Sequence, residues 1–129
     1  MMREILFRGK FGNEWKYGFL SIEPKGLVIK EPYKNESSNV WHIDADTVGQ
    51  YTGMTDKNGT KIFEGDILAF DNTDGELTNY EILWFKNKWV VRESNYNAVD
   101  DLDLFFCECS TVIGNIYDNL ELLKGENND

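Results

Sequence analysis

The sequence is poor in the side chains that bind transition metals. It has one histidine, His42, and two cysteines, Cys107 and Cys109, among 129 residues. One copy of this chain therefore lacks the ligands for an ordinary four-ligand Cys/His zinc site. Cysteines two positions apart rarely meet disulfide geometry, and on a strand their side chains would point to the same face. We expect two reduced thiols that pack as small hydrophobic side chains, and not a redox pair.

The sequence also lacks long apolar segments. No apolar run approaches the roughly 20 residues of a membrane-spanning helix. The opening residues, MMREILFRGK, are charged within three positions and do not form an apolar signal segment. Hydrophobic residues make up 41% of the chain and charged residues 28%, which is typical of a soluble globular domain. We therefore expect a cytoplasmic protein.

Basic side chains are outnumbered by acidic ones, 13 to 23, so the formal net charge is −10. The imbalance is local, because residues 1–41 hold seven Lys/Arg and five Asp/Glu, whereas residues 62–129 hold four and 15. Nucleic-acid binding depends on lysine and arginine, so the charge of the whole chain opposes it. A local basic patch in the first third remains compatible with this composition.

Aromatic and β-branched runs separated by glycine, asparagine and aspartate predict a chain of short strands. Trp15, Tyr17 and Phe19 alternate with other residues, which predicts a hairpin strand with its aromatic face toward the core. We predict a tight turn at Asn87-Lys88 and a short helix at 119–124. Residues 94–105 are the most irregular segment and form either a loop or a single helical turn. The predicted strands are 4–9, 14–22, 26–31, 40–44, 61–70, 80–85, 88–93 and 110–117, and residues 32–40 are a predicted loop.

The stretch VGQYTGMTDKNGTKIFEGDIL, residues 48–68, has the composition of a ligand-binding loop. It fits no calcium-loop template, because a loop starting at Asp56 has Lys61 at the glycine position and Ile67 at the acidic position. It also lacks a phosphate-loop motif. Asn58-Gly59 is a strong hairpin signal, and a glycine between acids just before an apolar strand indicates a special backbone position. We therefore predict that this stretch bends the chain and binds no ligand.

The same stretch resembles the central signature of the YopX family of bacteriophage and prophage proteins. The opening REILFRGK…NEWKYGFL resembles the family's N-terminal hairpin, and VIGNIYDNLELL resembles its C-terminal segment. The resemblance covers nearly the whole chain. It implies a β-rich fold with an SH3-like barrel, a phage or prophage origin and no assigned activity, and it supplies no catalytic residues.

The expected fold is therefore mainly β, with a small SH3-like barrel or roll, an N-terminal β-hairpin extension and little helix. We expect a single domain over residues 1–124, followed by a frayed tail at 125–129. Its N-terminal β part would cover about 1–47 and its barrel part about 48–124.

Few residues are candidates for chemistry. His42 and Asp44 are spaced to share a strand face, but a catalytic triad also needs a nucleophile. Several acids in polar segments could hold magnesium or transfer protons, although such runs are usually solvated. We expect no enzymatic activity, catalytic residue, metal site or cofactor. The acids weighed here are Asp71, Asp74, Glu76, Asp100, Asp101 and Asp103.

The first hairpin is the candidate interaction surface, formed by Arg8, Lys10, Trp15 and Lys16. Cations interleaved with aromatic rings can stack on bases, although small β domains also fill their cores with aromatic side chains. We expect a phage accessory protein that binds another protein of the phage or host, or its own copies as a homo-oligomer. The alternatives are nucleic-acid binding through this hairpin, or an acidic surface that mimics nucleic acid and occupies a host nucleic-acid-binding protein.

Overall fold

The computed structural model describes residues 4–31, 39–72, 74–93 and 98–124. The chain divides into two compact units, residues 1–53 and 54–129. The fold is mainly β, with two sheets, antiparallel strand pairs throughout the described register and little helix. The expected mainly β class with little helix is thus confirmed. The predicted loop at 32–40 falls mostly outside the described residues, and the predicted tail at 125–129 does so entirely.

The first unit contains a sheet built outward from two hairpins. Its strand order is β4-β3-β2-β1-β5. Val28 and Ile29 are fully buried and lie on opposite faces of their strand, so both faces of the sheet are covered there. The strands are β1 Phe7–Phe11, β2 Glu14–Glu23, β3 Gly26–Lys30, β4 Val40–His42 and β5 Asp44–Thr55, of which the last two residues belong to the second unit.

Strand β2 serves two neighbours in succession. Its first half pairs with β1 and its second half with β3, and Gly18 stands where the two pairings meet. A Cβ atom at Gly18 would lie 2.3 Å from the main-chain oxygen of Lys30. Only glycine permits this close approach of the two strands.

The second unit contains a five-stranded sheet in the order β10-β9-β8-β7-β11. Its hydrophobic core contains Ile62, Leu68, Ile82, Val91, Leu102, Phe106 and Cys107. Among the described strands the order runs from β10 to β11 without closing, so the expected SH3-like barrel is not confirmed. The elements are β6 Lys61–Phe63, β7 Asp66–Asp71, β8 Leu77–Phe85, β9 Lys88–Glu93, β10 Val99–Asp101, α1 Leu104–Glu108, β11 Ser110–Asn115 and a 3₁₀ helix Leu120–Leu123.

The turn after β5 is organised by the carboxylate of Asp56, which is 5% exposed. Its Oδ1 accepts hydrogen bonds from the main-chain N–H groups of Asn58 and Thr60, at 2.8 and 2.9 Å. Its Oδ2 accepts one from the N–H of Val112, at 2.9 Å. Gly59 completes the turn with φ +84°, a conformation that favours glycine. Asp56, the first residue of the calcium-loop template considered above, thus uses its carboxylate to accept hydrogen bonds from three main-chain donors.

A second buried carboxylate, that of Asp66, lies ten residues after Asp56. Asp66 is 2% exposed, and its Oδ2 accepts a 2.7 Å hydrogen bond from the N–H of Phe63. Gly65, with φ +90°, donates its N–H to Ile82 O and accepts from the N–H of Ile116. Residues 56–66 therefore turn the chain twice, as predicted, and their buried acids make structural hydrogen bonds.

Several predicted elements need correction. Residues 44–55 form the long strand β5, which the glycines of this segment obscured. The predicted strand at 61–70 is interrupted by the turn at Glu64-Gly65, and the predicted turn at Asn87-Lys88 lies one residue earlier, at Lys86-Asn87. The cysteines do not lie on a strand, because Cys107 belongs to α1 and Cys109 follows its end. The predicted helix at 119–124 is present as the 3₁₀ helix.

The aromatic face of the first hairpin also differs from expectation. Trp15 is half-buried, but Tyr17 is 43% exposed and Phe19 is 59% exposed. Alternation correctly grouped these rings on one face, whereas the assignment of that face to the core was wrong for Tyr17 and Phe19.

Replacing Asp56 with asparagine tests the role of its carboxylate. Asp56→Asn directs an N–H donor at one of the three main-chain donors, so we expect a loss of about 2 kcal/mol in the free energy of unfolding. Urea denaturation followed by tryptophan fluorescence measures it. Asp74→Asn removes the same charge from an exposed turn and should cost less than about 0.5 kcal/mol. Equal losses in the two variants would contradict this role.

Candidate interaction surface

The first hairpin brings three of its four candidate residues onto one face. Lys10 lies directly opposite Trp15 in the β1–β2 register, and Arg8 lies opposite Tyr17. The guanidinium carbon of Arg8 is 4.6 Å from the centre of the Trp15 ring, and the Lys10 Nζ is 5.5 Å from it. Both contacts are cation–π interactions. Arg8 is only 5% exposed, so its contribution is mainly to packing beneath the surface.

Lys16 points to the opposite face of the hairpin. Its register partner is Gly9, and its Nζ lies 3.9 Å from the centre of the Trp41 ring and 3.3 Å from Glu14 Oε1. The Trp41 ring also packs against Phe11, with centroids 5.0 Å apart. The four predicted residues therefore do not form one continuous surface, because strand alternation separates Lys16 from the other three.

Two exposed rings extend the face that carries Trp15. Tyr17 and Phe19 alternate with Gly18 on β2, and Lys30 lies directly opposite Phe19 in the β2–β3 register. We call Lys10, Tyr17, Phe19 and Lys30 the basic-aromatic face. Lys30 and Phe19 were not among the predicted site residues, although the aromatic alternation and the nearby cation were visible in the sequence.

The short helix α1 presents a second exposed apolar surface. Leu104 is 64% exposed and Phe105 is 62% exposed, and the exposed acids Asp103 and Glu108 stand at the two ends of the helix. We call these four residues the acidic-apolar patch. These residues were not among the predicted site residues, because 104 and 105 fall in the segment predicted as a loop or a single helical turn.

The patch is held firmly in place despite the small size of α1. The N–H of Phe106 donates to Asp103 Oδ1 at 2.8 Å, which caps the helix. The Phe106 ring stacks on Phe70 with centroids 4.7 Å apart, and Phe105 meets the edge of the same ring at 6.3 Å. Ser110, fully buried, donates its Oγ hydrogen to Phe106 O at 2.6 Å. The helix that carries the two exposed side chains is therefore anchored by a cap, a ring stack and a buried hydroxyl.

Net charge differs between the two units. Residues 1–53 contain seven Lys/Arg and seven Asp/Glu, so the first unit is formally neutral, while residues 54–129 contain six and 16, a net of −10. The cations of the basic-aromatic face thus belong to the unit without excess negative charge. The acidic-apolar patch belongs to the unit that carries the whole net charge of the protein.

The acids considered for chemistry make local structural contacts. Asp44 Oδ1 accepts from the N–H of Asp46 at 3.0 Å, and Asp101 Oδ1 pairs with Lys88 Nζ at 2.8 Å. Burial, followed by the charges of Glu93 and Asp100, raises the pKa of Tyr80. His42 is exposed at the end of β4. Within the described part of the chain, no three His, Cys, Asp or Glu side chains are grouped so that they could hold a metal ion.

No helix among the described residues combines the length and apolar character needed to cross a membrane.

The two cysteines have different surroundings. Cys107 is fully buried in the core, with its Sγ 3.6 Å from Met54 Sδ, whereas Cys109 is partly exposed. Burial, followed by the nearby charges of Asp103, Asp56 and Glu108, raises the pKa of the Cys107 thiol to about 11. Cys107 therefore behaves as a small hydrophobic side chain.

Thiol alkylation tests this difference. At about pH 8 a thiol with a pKa of about 11 is only ~0.1% thiolate. We expect iodoacetamide to modify Cys109 in the native protein while Cys107 stays unmodified until denaturant is added, as read by peptide mass spectrometry. Modification of Cys107 at the rate of Cys109 would show that its burial is not maintained in solution.

The chain matches one protein-family model and resembles two solved structures. The family model described as "YopX protein" matches residues 8–124. A crystal structure of protein EF1440 from Enterococcus faecalis is similar, with 22% identity, a TM-score of 0.57 and coverage of 95% of this chain and 100% of the other. An X-ray structure of protein yopX from Bacillus subtilis has 18% identity, a TM-score of 0.61 and coverage of 96% and 98%. These likenesses support the fold alone. No curated protein matches the sequence.

Proposed function

The chain belongs to the YopX protein family, and we propose that it is a non-enzymatic interaction module that associates with copies of itself. The basic-aromatic face of one copy binds the acidic-apolar patch of the next. The observation that carries this proposal is the pairing of two exposed apolar surfaces with opposite flanking charges in one chain. The resemblance to phage and prophage proteins supports a role as an accessory protein in the cytoplasm of a bacterial host.

Exposed aromatic side chains provide the apolar part of the contact. Phe19 and Phe105 each expose about three fifths of their surface, and Leu104 exposes 64%. Burying such rings between two proteins is favourable because apolar surface leaves water. Aromatic residues near the centre of an interface often dominate its binding energy. Phe19 and Phe105 are therefore the expected anchors of the two surfaces.

Charge complementarity selects the second copy as the partner. On one surface Lys30 lies opposite Phe19, and Lys10 lies opposite Trp15 further along the same face. On the other surface Asp103 and Glu108 flank the apolar residues of α1. Opposite charges at the rim favour this pairing, whereas two acidic-apolar patches would repel each other. The second unit's net charge of −10 attracts the cations over longer distances at low ionic strength.

The two surfaces are different, so the contact is heterologous. A heterologous contact joins copies head to tail, and it produces a ring if the rotation closes and an open chain if it does not. Each copy keeps one unused surface at an open end. Association is therefore expected to continue beyond a dimer as the protein concentration rises.

The structural contacts of the acids support a non-enzymatic role. Asp56 and Asp66 each accept main-chain hydrogen bonds while buried, and Asp103 caps α1. Each of these carboxylates has a role in folding that accounts for its position. The surface features of the molecule serve binding better than catalysis.

Phe19→Ser and Phe105→Ser test the two surfaces separately. Each variant removes one anchor ring from an exposed position, so we expect each to weaken self-association at least about tenfold with little effect on folding. Sedimentation velocity over a range of protein concentrations measures the association. Trp84→Ser is the matched control, because Trp84 is 50% exposed and lies on neither surface.

The ionic strength of the solution provides an independent check on the same proposal. Because the rim contacts are charged, association should weaken as the salt concentration rises. At about 1 M the Debye length is only roughly 3 Å, so these charges are largely screened. A wild-type protein that stays monomeric at high concentration and low salt would disprove the proposal. Equal weakening by the Trp84 variant would show that the surfaces are assigned incorrectly.

A second function, binding of single-stranded nucleic acid, is favoured by one observation. Tyr17 and Phe19 expose their rings on the same face as Lys10 and Lys30. Exposed rings beside cations are the arrangement that stacks bases and contacts phosphates. The net charge of −10 opposes this function, so it ranks below self-association.

Charge reversal on the two faces of the hairpin tests this second function. Lys10→Glu should weaken binding of a fluorescent oligothymidylate, measured by anisotropy at low salt, because it reverses a charge beside the exposed rings. Lys16→Glu makes the same change on the opposite face and should have a smaller effect. If both variants bind like the wild type, or the wild type does not bind, this function is wrong.

A further inference from the structure

A cavity of about 440 Å³ lies in the first unit, beside the turn between β2 and β3. Its volume falls within the range of small-molecule pockets, roughly 300–1,000 Å³. The lining is predominantly apolar and includes Pro24, Val28 and Val40. The lining residues that the structure describes all belong to the first unit.

The strand register explains how the cavity forms. Val28 lies opposite Ser21 on one side and His42 on the other, and Lys30 lies opposite Val40. Directly opposed residues of antiparallel strands share a face, so these side chains project from the same side of β2, β3 and β4. Val28 is fully buried beneath the cavity, and Val40, 48% exposed, supplies accessible apolar surface.

Two lysines, Lys25 and Lys30, line this cavity. Among the described lining residues they accompany His42 and one acid, Glu23. Glu23 Oε2 accepts a 2.5 Å hydrogen bond from Ser21 Oγ and lies 3.6 Å from Lys30 Nζ. The hydrogen bond from Ser21, and then the charge of Lys30, lower the pKa of Glu23. Glu23 therefore stays ionised and holds Lys30 at the cavity. The Lys30 side chain remains 45% exposed.

We propose that this cavity binds a small organic anion with an apolar body, such as an aromatic carboxylate or sulfonate. The apolar body rests on Pro24 and Val40, which are exposed, and the anionic group meets Lys30 and Lys25. A neutral apolar molecule gains only the first contact, and a small inorganic anion gains only the second. Lys30 also belongs to the basic-aromatic face, so an anion in the cavity and a second copy of the chain are expected to compete for it. Binding of the anion itself does not require a second copy.

Two fluorescent probes of similar shape test the proposal. The anionic probe is 1-anilinonaphthalene-8-sulfonate, and the neutral probe is N-phenyl-1-naphthylamine, which lacks the sulfonate. We expect the folded protein to bind one equivalent of the anionic probe. Lys30→Met should weaken that binding about fivefold while leaving the weaker binding of the neutral probe unchanged. Lys25→Met should act in the same direction, and Lys61→Met, outside the cavity, should have no effect.

Amide chemical shifts locate the bound probe. Addition of the anionic probe should move the resonances of Val28, Lys30, Val40 and His42. The same result is expected in the Phe105→Ser variant, which retains the cavity, so failure of self-association does not affect this test. The proposal is overturned if the anionic probe does not bind. It is equally overturned if Lys30→Met and Lys61→Met bind alike, or if the shifts map to another surface.

Discussion

The second unit depends on one buried carboxylate that must keep its hydrogen-bond partners. Asp56 lies in a turn, yet its Oδ2 binds the N–H of Val112, 56 positions later in the chain. Lys57 reinforces this link by donating its N–H to Ser110 O at 3.1 Å. Leaving a buried carboxylate without donors is costly, so the turn and the outer edge of β11 are fixed together. This contact joins the glycine-rich stretch to the end of the five-stranded sheet.

The proposed interaction patch depends on the same contact. Ser110, at the start of β11, holds Phe106 O through its hydroxyl, and Phe106 anchors α1 on Phe70. Phe105 is the next residue along the helix and packs on the same ring. A sequence of contacts therefore runs from Asp56 through β11 to the exposed part of α1. The residues that carry the family resemblance fix the base on which the patch stands.

Strand alternation and turn chemistry allowed much of the β structure to be predicted from sequence. Asn58-Gly59 and Glu64-Gly65-Asp66 mark real turns because their backbone conformations favour glycine. The long strand β5 was missed because glycines within it have low strand propensity, while its pairing with β1 overrides that preference. Helix α1 was predicted only as one of two alternatives, a loop or a single helical turn, because five residues are too few for a helical period to appear.

The sites were harder to predict than the fold, because burial depends on contacts between distant residues. Trp15, Tyr17 and Phe19 have the same alternation, but only the first is half-buried. Arg8 looked like a surface cation and is 5% exposed over the Trp15 ring. The cavity beside Val28 arises from the register of three strands, and no sequence motif marks it.

Mixing the two surface variants tests head-to-tail association most directly. Phe19→Ser retains an intact acidic-apolar patch, and Phe105→Ser retains an intact basic-aromatic face. We expect each variant alone to be largely monomeric by sedimentation velocity, while an equimolar mixture forms a heterodimer with one intact contact. Because the remaining surfaces of that heterodimer are both defective, growth should stop at two copies. A mixture that stays as monomeric as its components would contradict the proposed pairing of the two surfaces.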